Sequence, residues 1–366
     1  MEERRTAPRR LETGSQNIFS MKDLNWESLG FSVTRTNAVI VSRYADGKWS
    51  EIQEDGSFSL GDNPLMCALH YAVSCFEGLK AFRRKDGSVA MFRPLDNSAR
   101  LRRSAEYLGI PAPSDEMFVE MCERCVRANI QFLPPYGGTA SMYLRPILYG
   151  SEPRLGLAPA EEVTFAVMCC PVSTYNGLAL HPCSAVVPLD YDRAAPHGSG
   201  SYKVSGNYAC TFHPYNLTHA QGYGEMLFLN SATHEFVDEF GSSNFFAIKG
   251  DTYVTPLSDS VLPSITNKSL RTLAEDLGYK VEMRRIPVAE LAEFDEVGAC
   301  GTAVVITAIS GIDIKEHLAQ EPVKASYKYW EKTAGPVSTR LYNTLTDIQK
   351  GNIEDVHGWC HIIENL

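Results

Sequence analysis

The first half of the chain alternates apolar and polar residues in several short stretches, the pattern of half-buried β-strands. Residues 37–60 and 79–94 each alternate around an Asp-Gly pair, so each stretch predicts a hairpin. The period lengthens to that of a helix over residues 96–109 and again over 114–133, where Ser114 is suited to cap the helix. Two further strands are predicted at residues 139–150 and 162–172.

The pattern is interrupted at residues 173–183, which contain Asn-Gly and a proline and predict a linker between domains. A helix over 208–221 with Asn207 as its cap follows, then a helix over 264–278, and helices near the end of the chain. One buried strand is predicted over 297–310, entered through a Gly-Thr step. The other predicted strands are 184–191, 225–230, 236–240, 242–250, 251–256 and 279–286.

These elements predict an α/β (mixed α+β) fold of two units with mixed sheets that meet near residue 175. A chain of 366 residues exceeds the size at which one hydrophobic core stops growing. We therefore expect two domains after an N-terminal tail that is arginine-rich but interrupted by acids. The predicted divisions are a disordered tail at 1–15, a smaller domain at 16–175, a linker at 176–182 and a larger domain at 183–366.

The composition and net charge limit the classes of partner that this chain is expected to bind. The net charge of −10 argues against nucleic acid or an anionic membrane surface, and no apolar run is long enough for a membrane span. Ten cysteines without framework spacing indicate a reduced intracellular compartment, with cytosol and mitochondrion both open. Cys122 and Cys125 have the spacing of half a zinc site, but no second pair follows, so no metal is predicted.

Lys203 lies in a glycine-containing stretch, HGSGSYKVSGNYAC at 197–210. A phosphate-binding loop needs Gly before the lysine and Ser or Thr after it, whereas Tyr202 and Val204 stand there. A lysine on a solvated turn is the ordinary alternative. The apolar neighbours instead favour partial burial, which lowers the pKa of an amine and suits it to form an imine with a cofactor such as pyridoxal phosphate.

Such a cofactor needs an acid for its ring nitrogen and an anion site for its phosphate. Glu239 stands at the end of a strand, and only one of Asp238 and Glu239 can point inward because side chains alternate. Ser264 begins a helix whose N-terminus suits phosphate, and Gly301-Thr302 offers a second hydroxyl-bearing turn. Each of these features, taken alone, more often has a structural role than a functional one.

Taken together and in this order, seven segments resemble the branched-chain amino-acid aminotransferases, which are pyridoxal-phosphate enzymes of fold type IV. The resemblance spans most of the chain from about residue 30 to 310. The segments are HYAVSCFEGLKAFR (70–83), FRPLDNSARLRRSA (92–105), MYLRPILYGSEPRLGL (142–157), YKVSGNYA (202–209), EFGSSNFF (239–246), VLPSITNKSL (261–270) and CGTAVVI (300–306).

The resemblance implies a transaminase that moves an amino group between leucine, isoleucine or valine and 2-oxoglutarate by a ping-pong route. Lys203 would bond covalently to the pyridoxal 5′-phosphate and, once released, shuttle a proton at the substrate Cα. Glu239 would pair with the ring nitrogen and Tyr208 with the phenolic oxygen, within a cofactor-binding C-terminal domain. The phosphate would be held by Arg100, Ile265, Thr266 and Thr302.

The resemblance also implies a substrate pocket. Ser242 and the Ala303 amide would receive the α-carboxylate, and Arg145 would receive the second carboxylate of glutamate. The aliphatic side chain would lie against Phe76, Tyr143 and Tyr175. Tyr71, Leu155 and Leu157 would reach in from a neighbouring subunit, which implies a homodimer.

Three departures from the family pattern bear on substrate. Typical members have Thr-Met where this chain has Ser242-Ser243, so the pocket is expected to be roomier, and they have Gly at the position of Ser205. The Cys-x-x-Cys of animal members is replaced by Val304 and Thr307, so thiol regulation of that kind is not expected. Larger aliphatic or aromatic amino acids, a lyase reaction on aminodeoxychorismate and a non-catalytic relative remain the alternatives.

Overall fold

The computed structural model describes residues 24–26, 29–31, 33–60, 63–173, 180–320 and 322–366. The predicted tail and residues 176–179 of the predicted linker lie outside them. In chain order the elements are β1 (Val39–Ala45), β2 (Lys48–Trp49), β3 (Gln53–Asp55), α1 (Cys67–Tyr71), β4 (Ser74–Phe76), β5 (Leu79–Arg83), β6 (Val89–Phe92), α2 (Pro94–Leu108), α3 (Asp115–Ala128), β7 (Ser141–Gly150), β8 (Val163–Val172), β9 (Cys183–Pro188), α4 (Gly206–Ala209), α5 (Phe212–Ala220), β10 (Glu225–Leu229), β11 (Val237–Phe240), β12 (Asn244–Lys249), β13 (Thr252–Pro256), α6 (Ile265–Asp276), β14 (Lys280–Arg284), β15 (Glu296–Gly301), β16 (Val305–Lys315), β17 (Ala325–Lys328), α7 (Pro336–Lys350) and β18 (Cys360–Ile362).

Within the described residues the strands form two sheets of nine strands each. The first has the order β18-β6-β5-β7-β8-β1-β2, with β3 on β1 and β4 on β7, and its pairings are antiparallel. The second has the order β11-β10-β9-β16-β15-β12-β13-β14, with β17 on β16, and is mixed because β9 runs parallel to β10 and β16. Mixed sheets were therefore predicted correctly for the second sheet and wrongly for the first, where hairpins join antiparallel neighbours.

Local sequence signals predicted the first hairpins and the helices α2 and α3 correctly. The predicted hairpins are confirmed as β1–β2 and β5–β6. Helix α2 ends at Gly109, whose φ of 67° is the left-handed conformation that glycine adopts at little cost. Helix α3 begins after Ser114, whose hydroxyl accepts the N–H of Met117 at 3.2 Å. Both helix boundaries agree with the sequence because their signals are local.

Two predicted elements are wrong. The single strand expected over 297–310 is a hairpin of β15 and β16, in which Cys300 pairs with Ile306. Both strands are largely buried, so no run of polar residues marks the turn. The helix expected over 208–221 is two short helices, α4 and α5, interrupted at residues 210–211.

Asn207 does not cap a helix, contrary to the sequence prediction. Its side-chain amide donates to the carbonyl oxygens of Ser199 and Tyr202, at 2.7 and 2.8 Å, and its oxygen accepts the Ser199 hydroxyl. The residue therefore closes the loop that precedes α4 instead of starting the helix.

Three apolar clusters form most of the core. One lies between α2, α3 and the first sheet, where Phe118 stacks on Phe165 and Cys122 and Cys125 are fully buried. The thiols there act as small hydrophobic groups, as expected from their apolar surroundings. Another cluster packs α6 and α7 against β12, β15 and β16 together with Phe82 and Phe92 of the first sheet, so it joins the two halves. Within the described ranges, no helix combines the length and apolarity needed to cross a bilayer.

Helix α7 is anchored to the second sheet by one buried acid. Glu296 of β15 is 4% exposed, and its carboxylate accepts the backbone N–H groups of Val337 and Ser338 at 2.9 and 2.8 Å. It also accepts the Ser338 hydroxyl at 2.6 Å. A Cβ at Gly335 would overlap this carboxylate, so the close approach requires glycine. The first turn of α7 thus takes both its hydrogen-bond partner and a compensating negative charge from the sheet.

Glu296→Gln should lower the free energy of unfolding by about 1–3 kcal/mol, because a buried amide cannot accept all three hydrogen bonds. Urea unfolding followed by circular dichroism measures the change. The matched control is Glu293→Gln, which removes an exposed carboxylate 2.6 Å from Lys249 and should cost less than about 1 kcal/mol. Equal effects of the two variants would contradict the capping role.

Candidate functional site

The segment that carries Lys203 is hydrogen-bonded to β4 much as a further strand would be. The N–H of Phe76 donates to the carbonyl oxygen of Lys203 at 3.1 Å, and the N–H of Ser205 donates to that of Ser74 at 3.0 Å. The hydroxyls of Ser74 and Ser205 also form a hydrogen bond of 2.7 Å. Ser205, which departs from the family pattern, therefore adds a side-chain bond to this pairing.

The Lys203 amine lies among aromatic rings. Its Nζ donates to the Tyr208 hydroxyl at 2.8 Å and lies 4.8 Å from the ring centroid of Phe76. Burial, with the Arg100 cation second, lowers the pKa of Lys203 to about 8. Burial, with Glu239 second, raises the pKa of Tyr208 to about 12. An amine that is partly neutral thus faces a phenol that keeps its proton, and a lysine on a solvated turn is excluded.

Glu239 is buried on β11, and three donors surround its carboxylate. Arg193 lies 2.7 Å away as an ion pair, the Asn244 amide donates at 2.7 Å, and the N–H of Leu262 donates at 3.0 Å. Burial raises the pKa of Glu239 to about 7, against the opposing effect of these three donors. Asp238 alternates to the other face of the strand.

A line of buried polar side chains supports Glu239 from behind. The Asn244 oxygen accepts the amide of Asn267 at 3.2 Å, and the oxygen of Asn267 accepts the Tyr253 hydroxyl at 2.9 Å. The Asn267 amide also donates to the Thr255 hydroxyl at 2.8 Å. Because each member has a partner, the network fixes the orientation of Asn244 and through it the carboxylate.

The predicted phosphate ligands come from both halves of the chain. Arg100 of α2 is paired bidentately with the fully buried Glu77, at 2.8 and 2.7 Å, and its remaining nitrogen donates to the carbonyl oxygen of Pro263 at 3.0 Å. Ile265 and Thr266 form the first turn of α6, where backbone N–H groups have no partner within the helix. Arg100 thus lies beside the start of α6, with Glu77 as a neighbour that the sequence did not indicate, and the role of these residues at a phosphate stays a prediction.

Thr302 and Ala303 lie in the turn between β15 and β16. Thr302 borders one small cavity together with Thr266 and Lys80, which places the turn beside the start of α6. The buried Lys80 amine donates to the carbonyl oxygen of Ala303 at 2.8 Å, and burial lowers the pKa of Lys80 to about 8. The first sheet therefore holds this turn through one lysine.

The two serines that replace the family's Thr-Met differ in their surroundings. Ser242 is exposed, whereas the Ser243 hydroxyl is a buried group without a hydrogen-bond partner. A Cβ built on Gly301 would lie 3.7 Å from that of Ser243, so Ser243 faces the turn that carries Ala303. The role of Ser242 at a substrate carboxylate stays a prediction.

Arg145 lies against the rings of Phe76 and Tyr143, the residues predicted to line the side-chain pocket. The guanidinium of Arg145 donates to the Tyr143 hydroxyl at 3.0 Å and lies 4.6 Å from the ring centroid of Phe76. Its Nε is buried without a partner. A Cβ at Gly78 would overlap the Tyr143 hydroxyl, so glycine is required beside this ring. The cluster combines two aromatic rings with a guanidinium that has unused donor capacity, and its role as a substrate pocket stays a prediction.

The remaining predicted residues lie on α1, in the loop after β7, or outside the described ranges. Tyr71 closes α1, and its hydroxyl donates to the carbonyl oxygen of Leu155. Leu155 is 64% exposed and Leu157 is 87% exposed, which is unusual for leucine. Their contribution to a neighbouring subunit stays a prediction. Tyr175 lies outside the described residues.

Sequence reasoning missed four polar residues around the site: Glu77, Lys80, Arg193 and Asn244. The first two lie within a segment that carried the family resemblance, yet nothing in their spacing reveals burial. Arg193 follows β9 in an apparently ordinary loop. A charged residue inside an otherwise apolar stretch, as in CFEGLKAF at 75–82, was the one available signal.

No group of three or more His, Cys, Asp or Glu side chains suited to a metal ion occurs in the part of the chain that the structure describes.

The chain is similar to known proteins of one family in sequence and in fold. The family model described as "Amino-transferase class IV" matches residues 74–312. The branched-chain-amino-acid aminotransferase of Haemophilus influenzae is 42% identical over 351 residues, which cover 94% of this chain and all of that protein.

Solved structures share the fold. The Escherichia coli branched-chain amino acid aminotransferase superposes with a TM-score of 0.75 at 24% identity, covering 90% of this chain and 100% of that one. A branched-chain amino acid aminotransferase from Thermobaculum terrenum, solved in its PLP form, has a TM-score of 0.73 at 20% identity and covers 90% of this chain and 99% of that one. With a family match over most of its length and a full-length relative at 42% identity, the chain belongs to the class IV aminotransferases and, within them, to the branched-chain-amino-acid aminotransferase family.

Proposed function

We propose that this chain is a pyridoxal 5′-phosphate-dependent transaminase that moves the amino group between leucine, isoleucine or valine and 2-oxoglutarate in two half-reactions. The observation that carries the proposal is the Lys203 amine, bonded to Tyr208 and packed on Phe76. The substrate class is supported by the full-length relative of that activity. The cofactor is supported by the residues of the site and by the PLP-form structure that shares the fold.

The residues present fit the cofactor at three separate points. Lys203 is an amine with a lowered pKa for the aldehyde, and Glu239 is a positioned acid for the ring nitrogen. The start of α6 supplies the N–H groups of Ile265 and Thr266, which have no partner within the helix, beside the Arg100 cation for the phosphate. The residues that would hold the group are Lys203, Tyr208, Glu239, Arg100, Ile265, Thr266 and Thr302.

When bound, pyridoxal phosphate supplies an electron sink that makes the Cα–H bond of an amino acid acidic. The residues of the chain hold and move the proton. With a pKa of about 8, the Lys203 amine is roughly one-fifth neutral at pH 7.4, so its Nζ can accept the Cα proton and return it. Tyr208, 2.8 Å away, keeps its own proton and orients that nitrogen.

Substrate side chains are proposed to occupy the pocket of Phe76, Tyr143 and Arg145. The rings can cover a branched aliphatic chain, while the guanidinium can bind the second carboxylate of glutamate through charge-assisted hydrogen bonds. One pocket can therefore serve both half-reactions. The α-carboxylate would reach Ser242 and the Ala303 amide on the turn that Lys80 holds.

A homodimer is also proposed. The exposed Leu155 and Leu157 stand in a loop that α1 supports through the Tyr71 hydroxyl. Apolar side chains exposed to this extent favour burial against another protein surface. A second copy of the chain, supplying these side chains to its partner's pocket, accounts for their exposure.

The purified protein should show a visible absorbance band from its bound cofactor. Borohydride should bleach the band and leave a covalent adduct on Lys203, which peptide mass spectrometry identifies. Lys80 is the matched internal control, since burial lowers its pKa to about 8 as well, but its amine is bonded to a carbonyl oxygen. Lys203→Ala should be colourless and inactive. A wild-type protein that pyridoxal phosphate cannot colour would refute the proposed chemistry.

Substrate class is tested separately with the coloured enzyme. Leucine, isoleucine and valine should each convert the cofactor to its amine form, followed as loss of the visible band. Phenylalanine, methionine and D-alanine are the comparison donors. If all three branched-chain amino acids fail while another donor succeeds, the substrate assignment is wrong and the transaminase chemistry stands.

Cofactor capture should depend on pH through Lys203. The neutral amine is the nucleophile, so the rate constant for pyridoxal phosphate binding to cofactor-free protein should rise about tenfold per pH unit and level off near pH 8. Stopped-flow absorbance measures it. Arg100→Gln should move the plateau to higher pH, because the Arg100 cation lowers the pKa of Lys203. Arg102→Gln, exposed on the same helix, is the control. A rise that continues to pH 10 would contradict a lowered pKa.

Arg145→Gln should raise KM for glutamate and 2-oxoglutarate roughly 10–100-fold, because hydrogen bonds to a charged group contribute about 1.5–3 kcal/mol. KM for leucine should change less than about threefold, since the aliphatic chain needs no cation. Steady-state kinetics with both substrate pairs measure the split. Equal losses for leucine and glutamate would place Arg145 outside the second carboxylate site.

A further inference from the structure

Arg193 lies at the meeting point of three segments of the second half of the chain. Its guanidinium forms the 2.7 Å ion pair with Glu239 of β11 and donates to the carbonyl oxygen of Gly200 at 3.0 Å. It also donates to the carbonyl oxygen of Ser260, in the loop that precedes α6. Gly200 belongs to the loop that carries Lys203. One cation therefore connects the lysine loop, the acid and the approach to the phosphate ligands.

The packing around this cation is tight at Gly200 and excludes most water. A Cβ at Gly200 would overlap the Ser260 carbonyl oxygen and would approach the Arg193 guanidinium at 2.9 Å. The Arg193 side chain is 9% exposed, and that of Glu239 is 4% exposed. An ion pair that is so far removed from water is strongly sensitive to the loss of either member.

The charge of Glu239 depends on few groups. The titratable groups that act on it are Arg193 from the loop after β9, Tyr208 from α4, Cys300 from β15 and, from the opposite face of its own strand, Asp238. Arg193 is the cation among these groups, and the other three are acids. Without Arg193, burial and a neighbouring acid would both favour the protonated form of Glu239.

We propose that Arg193 is a positioning residue that keeps Glu239 ionised and ties it to the loop of Lys203. A neutral carboxylic acid has lost the charge that would hold a proton on a pyridine nitrogen. Arg193 therefore acts on the reaction through Glu239, without touching the substrate. The inference rests on the proposed function for its catalytic consequence, but not for the ion pair itself.

The pH dependence has a definite sign. Glu239 titrates near pH 7 in the folded protein, above the ordinary value of 4.5, so the folded state holds an extra proton between those values. Replacing Arg193 with the uncharged methionine moves this titration to higher pH. Above pH 7 the variant then binds one more proton than wild type when folded. Its folding equilibrium constant, relative to wild type, should fall about tenfold for each pH unit until its own titration is complete.

The test compares Arg193→Met, Arg193→Lys and wild type as full-length proteins freed of cofactor. Urea unfolding from pH 6 to 9 gives the ratio of folding equilibrium constants. Pyridoxal phosphate titration by absorbance gives Kd over the same range, and kcat/KM for leucine is measured on the loaded enzymes.

For Arg193→Met, the ratio of folding equilibrium constants should fall with pH, and Kd for pyridoxal phosphate should rise. The acidic limb of its kcat/KM profile should move to higher pH by at least one unit. Arg193→Lys should resemble wild type more closely in all three measurements, because it keeps the cation.

The Glu239→Gln background isolates the carboxylate. There, adding Arg193→Met should give a ratio that does not change with pH. A pH-independent loss in the single variant, or a falling ratio that persists in the Glu239→Gln background, would overturn the proposal. If Arg193→Met does not fold, Arg193→Gln, which also removes the charge but keeps hydrogen-bond donors, takes its place: a ratio that is flat in pH for that variant would overturn the proposal. Because unfolding needs no cofactor, a failed transaminase assay leaves this result readable.

Discussion

The site depends on the short stretch of backbone pairing between residues 203–205 and β4. Lys203 and its hydrogen-bond partner Tyr208 belong to the second half of the chain, whereas Phe76, whose ring lies against the Lys203 amine, belongs to the first half. Two backbone hydrogen bonds and the Ser74–Ser205 hydroxyl bond hold the segments in register. A strand-like pairing fixes both distance and direction, since successive side chains leave a strand on opposite faces. The lysine is therefore positioned by the sheet of one half and the loop of the other.

Oppositely charged residues form ion pairs on either side of this contact between the two halves. Arg100 with Glu77 lies beside the start of α6, and Arg193 with Glu239 lies beside the loop that carries Lys203. Each pair draws its members from different elements, and removing one member would leave a buried charge without a partner. The net charge of −10 is thus no guide to the site, where cations and anions alternate over short distances. An anionic ligand meets local donors, not a general field.

Features with local causes could be predicted, and features with distant causes could not. Gly109 and Ser114 mark the ends of α2 and α3 through their own conformation and hydroxyl, so these boundaries were visible in the sequence. The β15–β16 hairpin was not, because two buried strands give one continuous apolar run. Lys203 and Glu239 were candidates from their own sequence surroundings, whereas the role predicted for Arg100 came from the family resemblance. Arg193 was missed because its importance arises from a carboxylate far along the chain.

Because β18 pairs with β6, the first sheet is complete only after residues 360–362 have been synthesised. Cys360 pairs with Phe92, so the edge of β6 has no partner until residues 360–362 have been made. An unpaired edge strand can pair with another chain, which makes it a hazard for aggregation. The N-terminal half therefore emerges from the ribosome with one open edge and cannot become a finished unit first. Its protection during translation depends on how quickly the second half folds and delivers that strand.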